Sequence, residues 1–251
     1  MIDPAVPYNC GVSQKKLLPF KLDISNELSA WRAKTFYSKE PETLKWLEFF
    51  AITDHNNEIL IDVGSNIGIY TLYWLHFPNT RAIAIEPFDE NFKLLYKNIH
   101  MNNYTKRVDL ISKPLSSNNL FGWSIINDIR PGASEYKISF DEKVNHNNSV
   151  KVETLTLDSI LSGKKEIFIL KIDTDGTDFD ILKGAGSALE DGKIVSILIE
   201  SSEGGQGLIE SYLKRFNFIP DSRFNLLGEH SDTRRKIHGG KERNRVYSKN
   251  L

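Results

Sequence analysis

Ile61-Asp62-Val63-Gly64-Ser65-Asn66-Ile67-Gly68 is the stretch that decides the fold. It closes the short apolar run 58–63 and opens a helical pattern over 67–77, which Pro78-Asn79 ends. A brief apolar run that stops at a glycine has the form of a buried parallel strand. Gly64 and Gly68 let the backbone turn sharply and approach a ligand, and the following helix points its first N–H groups the same way. Taken alone, the stretch fits a plain β–α turn as well as a binding loop. Asn66 stands where a dinucleotide-binding G-x-G-x-x-G turn has its middle glycine.

Working outward, residues 81–86 form a second apolar run. Phe88, Phe92, Leu95 and Ile99 then recur at helical spacing, and 108–111 forms a third run. The order over 58–113 is therefore β-α-β-α-β. After an interruption the rhythm resumes with a strand at 167–173, a helix at 179–189 capped by Thr177 or Asp178, and a strand at 194–200. An apolar helical stripe follows at Leu208, Ile209, Tyr212, Leu213 and Phe216. Three short strand-like pieces, 218–220, 225–227 and 245–248, complete the chain. The pattern predicts an α/β fold: a doubly wound, Rossmann-like, mostly parallel seven-stranded sheet with an antiparallel C-terminal edge.

The flanks are less regular. Residues 1–35 carry Pro4, Pro7 and Pro19, and the expectation is an N-terminal arm or lid over 1–40 ahead of a domain spanning 41–251. A helix starts at Pro41, with Leu44, Leu47 and Phe50 on one face. Trp31, Phe36 and Tyr37 belong to the N-terminal core or close over a ligand. Residues 114–150 are rich in turn signals and read as an insertion over the sheet, with hairpin strands at 122–127 and 136–140. A strand over 150–157 and a short helix at 158–161 follow it.

Composition narrows the functional classes. The 251 residues hold 40% apolar and 26% charged side chains, enough to build a core. Lys+Arg 32 against Asp+Glu 33 gives a net charge of -1, which disfavours a globally basic nucleic-acid binder. The single cysteine, Cys10, excludes an internal disulfide framework and a cysteine-based zinc site. The first 30 residues hold Lys15, Lys16, Lys21, Asp23 and Glu27, so no signal peptide is read, and no run approaches a membrane span. The expected location is the cytoplasm, with no membrane partner.

Ligands of such sheets bind at the carboxyl ends of the strands. The sequence places Asp62, Glu86, Asp173 and Glu200 there. A carboxylate closing a buried strand is costly without a partner or a use, and four of them favour a site. Glu86 is placed to accept both ribose hydroxyls of an adenosine. Asp62, just ahead of Gly64, would repel a pyrophosphate but suits the ammonium of a methionine moiety.

Ile61-Asp62-Val63-Gly64-Ser65-Asn66-Ile67-Gly68, Ile85-Glu86-Pro87, Thr156-Leu157-Asp158, Leu170-Lys171-Ile172-Asp173-x-x-Gly176 and Leu182-Lys183-Gly184-Ala185 together resemble the FkbM-type family of class I S-adenosylmethionine-dependent methyltransferases. The resemblance covers roughly 40–220, with the blocks in the family's order. One departure is Asp175, where the family usually carries glutamate in Asp-x-Glu-Gly. The resemblance implies S-adenosyl-L-methionine as cofactor and O-methylation of a hydroxyl on a carbohydrate or other small-molecule acceptor. It further implies that Asp62, Gly64, Asn66 and Gly68 cradle the methionine part and Glu86 binds ribose. Pro87 and Phe88 would flank adenine, and Leu115 and Ser116 would line its pocket.

Methyl transfer to an alcohol needs alignment of the nucleophile and removal of its proton. Asp173 and Asp175 are the leading catalytic candidates, with Glu200, Glu203 and His230 behind them; binding turn N–H groups is the structural role open to the two aspartates. Asp173, Asp175 and Glu200 permit a divalent ion such as Mg2+, which the spacing does not favour, and the histidines show no metal-ligand spacing. Arg234-Arg235-Lys236, Lys241, Arg243 and Arg245 form a basic loop suited to solvent or to an anionic acceptor. Two rivals remain: a nicotinamide-dependent oxidoreductase, against which Asn66 and the lack of a Tyr-x-x-x-Lys pair argue, and a cofactor-binding partner subunit without turnover.

Overall fold

The computed structural model describes residues 17–53, 58–126, 130–133, 136–139, 149–174, 176–202, 204–229 and 242–249. Helices α1 (Glu27–Lys39) and α2 (Pro41–Ile52) lead into the strand β1 (Ile59–Val63), then α3 (Ile69–Leu75), β2 (Arg81–Ile85), α4 (Asp89–Met101) and β3 (Val108–Ile111). Next come three strands, β4 (Phe121–Ile126), β5 (Tyr136–Ser139) and β6 (Ser149–Glu153), and the short helix α5 (Leu157–Leu161). The alternation resumes with β7 (Phe168–Ile172), α6 (Asp178–Lys183), α7 (Gly186–Glu190) and β8 (Ile194–Ser202). It ends with α8 (Gln206–Lys214), β9 (Phe218–Pro220), α9 (Ser222–Glu229) and β10 (Glu242–Lys249).

Seven strands form one sheet in the order β3-β2-β1-β7-β8-β10-β9. Neighbours from β3 to β8 run parallel, and β10 runs antiparallel to both β8 and β9. The chain builds outward from β1 to β3 and then returns to place β7 against the other side of β1. The switch in strand order falls between β1 and β7, where an open parallel sheet leaves its ligand crevice. Every residue of β1 and β7 is buried, because helices cover both faces. One core carries Leu60, Leu72 and Leu95 with Trp46 and Phe36 from the N-terminal helices; the other carries Ile61, Leu170, Leu182 and Ile197. Trp46 Nε1 donates to Ser196 Oγ at 2.9 Å, tying α2 to β8.

The predicted seven-stranded, mostly parallel sheet with its antiparallel edge is the one observed. Four local expectations fail. Residues 27–39 form a helix capped by Asn26, whose side chain accepts from Ser29 N, where irregular chain was expected. The single helix expected at 179–189 is two, because Gly184 N already bonds back to Asp180 and Ile181 and the backbone kinks at Gly184-Ala185. Residues 225–227 lie in α9 rather than in a strand: Asp221 starts the helix by accepting from Arg223 N, and Asn225 bonds Val246 N–H and C=O with its side chain. Strand β8 runs two residues beyond Glu200. Between β3 and β7, the strands β5-β4-β6 form a separate antiparallel sheet, with the β4–β5 pairing foreseen for the hairpin.

Candidate active site

The turn after β1 is built by backbone geometry. Gly64, Asn66 and Gly68 all have positive φ, at 76°, 51° and 85°. Asparagine tolerates this region better than most side chains, which explains its place between the glycines. Gly64 is required by contact as well: a Cβ there would lie 2.0 Å from the carbonyl oxygen of Asp173. The ends of β1 and β7 are thus pressed together at the switch point. Gly64 N and Ser65 N both donate to Ile85 O at 3.0 Å, drawing the turn toward the end of β2. Ser65 Oγ is buried there with no hydrogen-bond partner among the described residues.

Glu86 follows β2 and links two elements. Its Oε2 accepts from Asn66 N at 2.8 Å and its Oε1 from Phe88 N at 2.9 Å, so one carboxylate fixes the turn and the entry to α4. Burial pushes Glu86 up to about 7, against the pull of these amides, of the Asn91 side chain and of the Arg32 charge. Phe88 is buried in the protein, and Pro87 is partly exposed beside it. Leu115 is buried and bridges Leu155. Ser116 donates its hydroxyl to Asp180 Oδ2 at 2.8 Å; hydrogen bonds from Ser116, Ser117 and Lys183 outweigh burial and hold Asp180 down to about 2.

The end of the sheet between β1 and β7 holds a buried ionic cluster. Lys171, the last residue but one of β7, places Nζ 3.1 Å from Asp173 Oδ2 and 3.5 Å from Asp62 Oδ1, and 5.2 Å from the centre of the Tyr70 ring. Asp62 Oδ2 also accepts from Thr71 Oγ1 at 2.6 Å. Burial works against the Lys171 ammonium, but Asp173, Asp62 and Glu40 overcome it and raise its pKa. For Asp173, burial raises the pKa and Lys171 more than reverses that, so the group is held below the usual carboxylate range. Lys171 is the cation beside Asp62 in the structure. Asp173 differs from its neighbours in access: its side chain is 26% exposed, against 1% for both Lys171 and Asp62.

Sequence reasoning missed Glu40, which comes from the junction of α1 and α2. Lys39 Nζ lies 2.8 Å from Glu40 Oε1, and Oε2 accepts from Asn244 Nδ2 at 3.1 Å and Thr43 Oγ1 at 3.3 Å. The Tyr70 hydroxyl bonds to Glu40 as well; burial, this bond and the surrounding carboxylates raise its pKa. The N-terminal helices therefore supply one wall of the cluster. Lysine inside the apolar run Leu170-Lys171-Ile172 was the available signal for a buried pair, whereas Glu40-Pro41-Glu42 looks like any solvated helix start. Phe36 is in the core, Tyr37 donates its hydroxyl to Leu17 O, and Trp31 is 37% exposed.

The turn after Asp173 is bound by another carboxylate. Asp178 accepts from Thr174 N at 2.9 Å and Gly176 N at 3.1 Å, the role considered for Asp173 and Asp175. Burial, and then the Asp173 charge, push Asp178 up to about 6. Glu200 stands in register with Asn244 on β10. Asp175, Glu203, His230 and the loop segment 234–241 lie outside the described residues, as do the side chains of Glu242 and Arg243. Among the described residues no group of three or more His, Cys, Asp or Glu is placed to hold a metal ion. None of their helices is long and apolar enough to cross a membrane.

Comparison with known proteins places this geometry. A Methyltransferase FkbM domain matches residues 62–223. The methyltransferase sdnD of Sordaria araneosa is 27% identical over 157 residues, covering 51% of this chain and 61% of the relative. Methyltransferase 1 of Beauveria bassiana is 22% identical over 148 residues, covering 51% of this chain and 59% of the relative. The chain thus spans about three fifths of the length of these curated relatives. Among solved structures, the N-terminal domain of human METTL16 in complex with SAH aligns with a TM-score of 0.46 at 13% identity, over 82% of this chain and 68% of that one. The ribosomal protein L11 methylase of Lactobacillus delbrueckii subsp. bulgaricus aligns with a TM-score of 0.45 at 12% identity, over 83% and 76%. The FkbM match covers well over half of the 251 residues and includes the β1 turn, Glu86 and the Asp173 strand end: the chain belongs to the FkbM methyltransferase-domain family.

Proposed function

We propose that the protein is an S-adenosylmethionine-dependent methyltransferase that methylates a hydroxyl group of a carbohydrate or other small molecule, with Asp173 accepting the hydroxyl proton. The observation that carries this reading is the Lys171–Asp173 pair at the switch point: a carboxylate held ionised by a buried ammonium, yet partly exposed. The residues fit the cofactor. Glu86 has lone pairs left beyond its two backbone amide bonds for a ribose hydroxyl, Ser65 Oγ has an unused donor, and Gly64 and Gly68 allow the positive-φ turn that brings the backbone to the end of β2.

The bound cofactor supplies an electrophilic methyl group on a positively charged sulfur. Asp173 then has one task, to take the proton as the acceptor oxygen bonds to carbon. Its lowered pKa makes it a weak base, which suffices because an alcohol grows strongly acidic only as its oxygen is alkylated. Lys171 keeps the carboxylate charged and oriented. A small-molecule acceptor is favoured over nucleic acid by the net charge of -1, which supplies no broad phosphate-binding field.

The test is transfer of labelled methyl from S-adenosylmethionine to a panel of hydroxylated sugars and small molecules, with RNA as a parallel arm. Calorimetry with S-adenosylhomocysteine and with NAD accompanies it. Label on a hydroxyl supports the proposal. Binding of NAD alone overturns the cofactor assignment, label on RNA alone overturns the acceptor class, and S-adenosylhomocysteine binding with no transfer across the panel favours a non-catalytic partner subunit.

A further inference from the structure

Arg32 reaches from α1 to the segment 130–133, which lies against the β1 turn. Its Nε donates to Gly132 O at 2.9 Å. The next carbonyl, Ala133 O, accepts from Asn66 Nδ2 at 2.8 Å and from Asn91 Nδ2 at 3.0 Å, and Gly132 N donates to Asn91 Oδ1 at 2.7 Å. Gly132 adopts φ 89°, and a Cβ on it would meet Leu28 Cβ at 3.2 Å, so the segment is fitted closely against α1. The guanidinium is thereby anchored on the residue next to the one that Asn66, inside the glycine turn, holds. Arg32 is partly exposed, and its two terminal nitrogens have no hydrogen-bond or ion-pair partner among the described residues.

Two accounts, one of charge and one of donors, single this residue out. Lys171 is sealed between Asp173 and Asp62, and Lys39 lies 2.8 Å from Glu40. Of these three cations, Arg32 is the one held by a neutral carbonyl instead of a carboxylate. The glycine turn has no backbone donors to spare. Gly64 N and Ser65 N both bond Ile85 O, Asn66 N bonds Glu86, Ile67 N bonds the Asn66 side chain and Gly68 N bonds Ser65 O. An anionic group brought to this turn must therefore find its donors on side chains. We propose that Arg32 binds the carboxylate of the cofactor's amino-acid part, with Gly132 O holding Nε and leaving the two terminal nitrogens for a paired contact with the carboxylate oxygens. The inference rests on the cofactor reading above, and it adds to the site a residue that lies ahead of the FkbM match at 62–223.

The experiment sets ligands with and without the carboxylate against wild type and Arg32 variants by calorimetry, with ligand-free melting curves as the folding control. S-adenosylhomocysteine carries the group; 5′-methylthioadenosine keeps the adenosine and the sulfur but lacks the amino-acid part. Arg32→Met, which retains an aliphatic stem, should bind S-adenosylhomocysteine about tenfold or more weakly than wild type, and 5′-methylthioadenosine within about twofold of it. Arg32→Lys should recover part of the loss, since it returns the charge without the fork. Unchanged S-adenosylhomocysteine affinity in Arg32→Met overturns the assignment. Equal weakening of both ligands overturns it too, because that is the mark of a residue that only braces the segment 130–133. If Arg32→Met does not fold, the carboxamide of S-adenosylhomocysteine carries the test: wild type should bind it about tenfold more weakly than the carboxylate, and Arg32→Lys should narrow that preference. A preference that is absent in wild type, or undiminished in Arg32→Lys, overturns the assignment. Absence of S-adenosylhomocysteine binding by wild type overturns the cofactor reading itself.

Discussion

Lys171 Nζ and Asp173 Oδ2 are 3.1 Å apart, yet the lysine side chain is sealed and the aspartate side chain is partly exposed. An ion pair of this kind holds one partner charged where solvent reaches it while the other never meets solvent. Its loss should separate chemistry from binding. Asp173→Asn keeps shape and hydrogen bonding but removes the basic charge, so turnover should fall by ~10²–10⁴-fold. Calorimetry should find S-adenosylhomocysteine affinity within about threefold of wild type.

Removing the other partner has a different outcome. Lys171→Met strands Asp62 and Asp173 without their shared cation, and breaking a buried pair on one side destabilises by ~3–5 kcal/mol. The denaturant midpoint should drop accordingly. Adding Asp62→Asn to Lys171→Met should recover part of the loss, since one uncompensated buried charge is removed with its partner.

The pH dependence of catalysis should divide between two groups. Asp173 lies below the usual carboxylate range, so the turnover number at saturating cofactor should not lose activity through this group until pH falls below about 4. Glu86 lies at about 7, so the cofactor KM should fall as pH rises from 6 to 8. Glu86→Ala should weaken cofactor affinity about ten- to hundredfold. Initial rates over a pH series at several cofactor concentrations would show the division.

Stability of the ligand-free protein should follow the opposite course. Carboxyl groups whose folded pKa is raised stabilise the fold below their unfolded pKa and lose that contribution as pH rises through the folded one. Glu86 at about 7 and Asp178 at about 6 place this loss between about pH 4.5 and 7. The melting temperature should therefore be lower at pH 8 than at pH 5.5, by on the order of 5 °C. Glu86→Gln should reduce the difference, and saturating S-adenosylhomocysteine should do the same by favouring the ionised form.

The Thr156-Leu157-Asp158 block has a structural role that can be measured. Thr156 Oγ1 caps α5 by accepting from Ser159 N, Leu157 is fully buried, and Asp158 accepts from Ser187 N and Ala188 N at the start of α7. Asp158→Ala should cost about 1 kcal/mol of stability, typical of a lost helix cap, without altering cofactor affinity. Urea unfolding and ligand titration on the same variant test both halves.

What the sequence made legible was the repeating part of the fold. Apolar runs ending in Asp62, Glu86 and Asp173 report strands and strand ends together, since few residues but strand termini combine a buried run with an abrupt charge. The place of the switch, between β1 and β7, came from the structure. Interactions between distant segments left no such trace. Glu40 is polar in sequence and buried in space because Asn244, Thr43 and Lys39 meet it there. Asn225 looked like part of a strand, yet it bonds a neighbouring strand from within a helix. Gly184 ended a helix that apolar spacing alone would have continued, and its reason is tertiary: a Cβ there would lie 2.4 Å from Ser116 O.

The wall that α1 and α2 contribute bears on how far the domain can be trimmed. The FkbM match begins at residue 62, which invites cutting the chain just ahead of β1. Such a fragment would keep the glycine turn, Glu86 and Asp173, but it would uncover the core face that Phe36, Trp46 and Leu47 now seal. It would also remove Glu40 from Tyr70 and Lys171, and Arg32 from Gly132. The contacts of α1 and α2 therefore argue for starting any trimmed form of the domain ahead of Asn26 rather than at the edge of the segment that sequence kinship marks out.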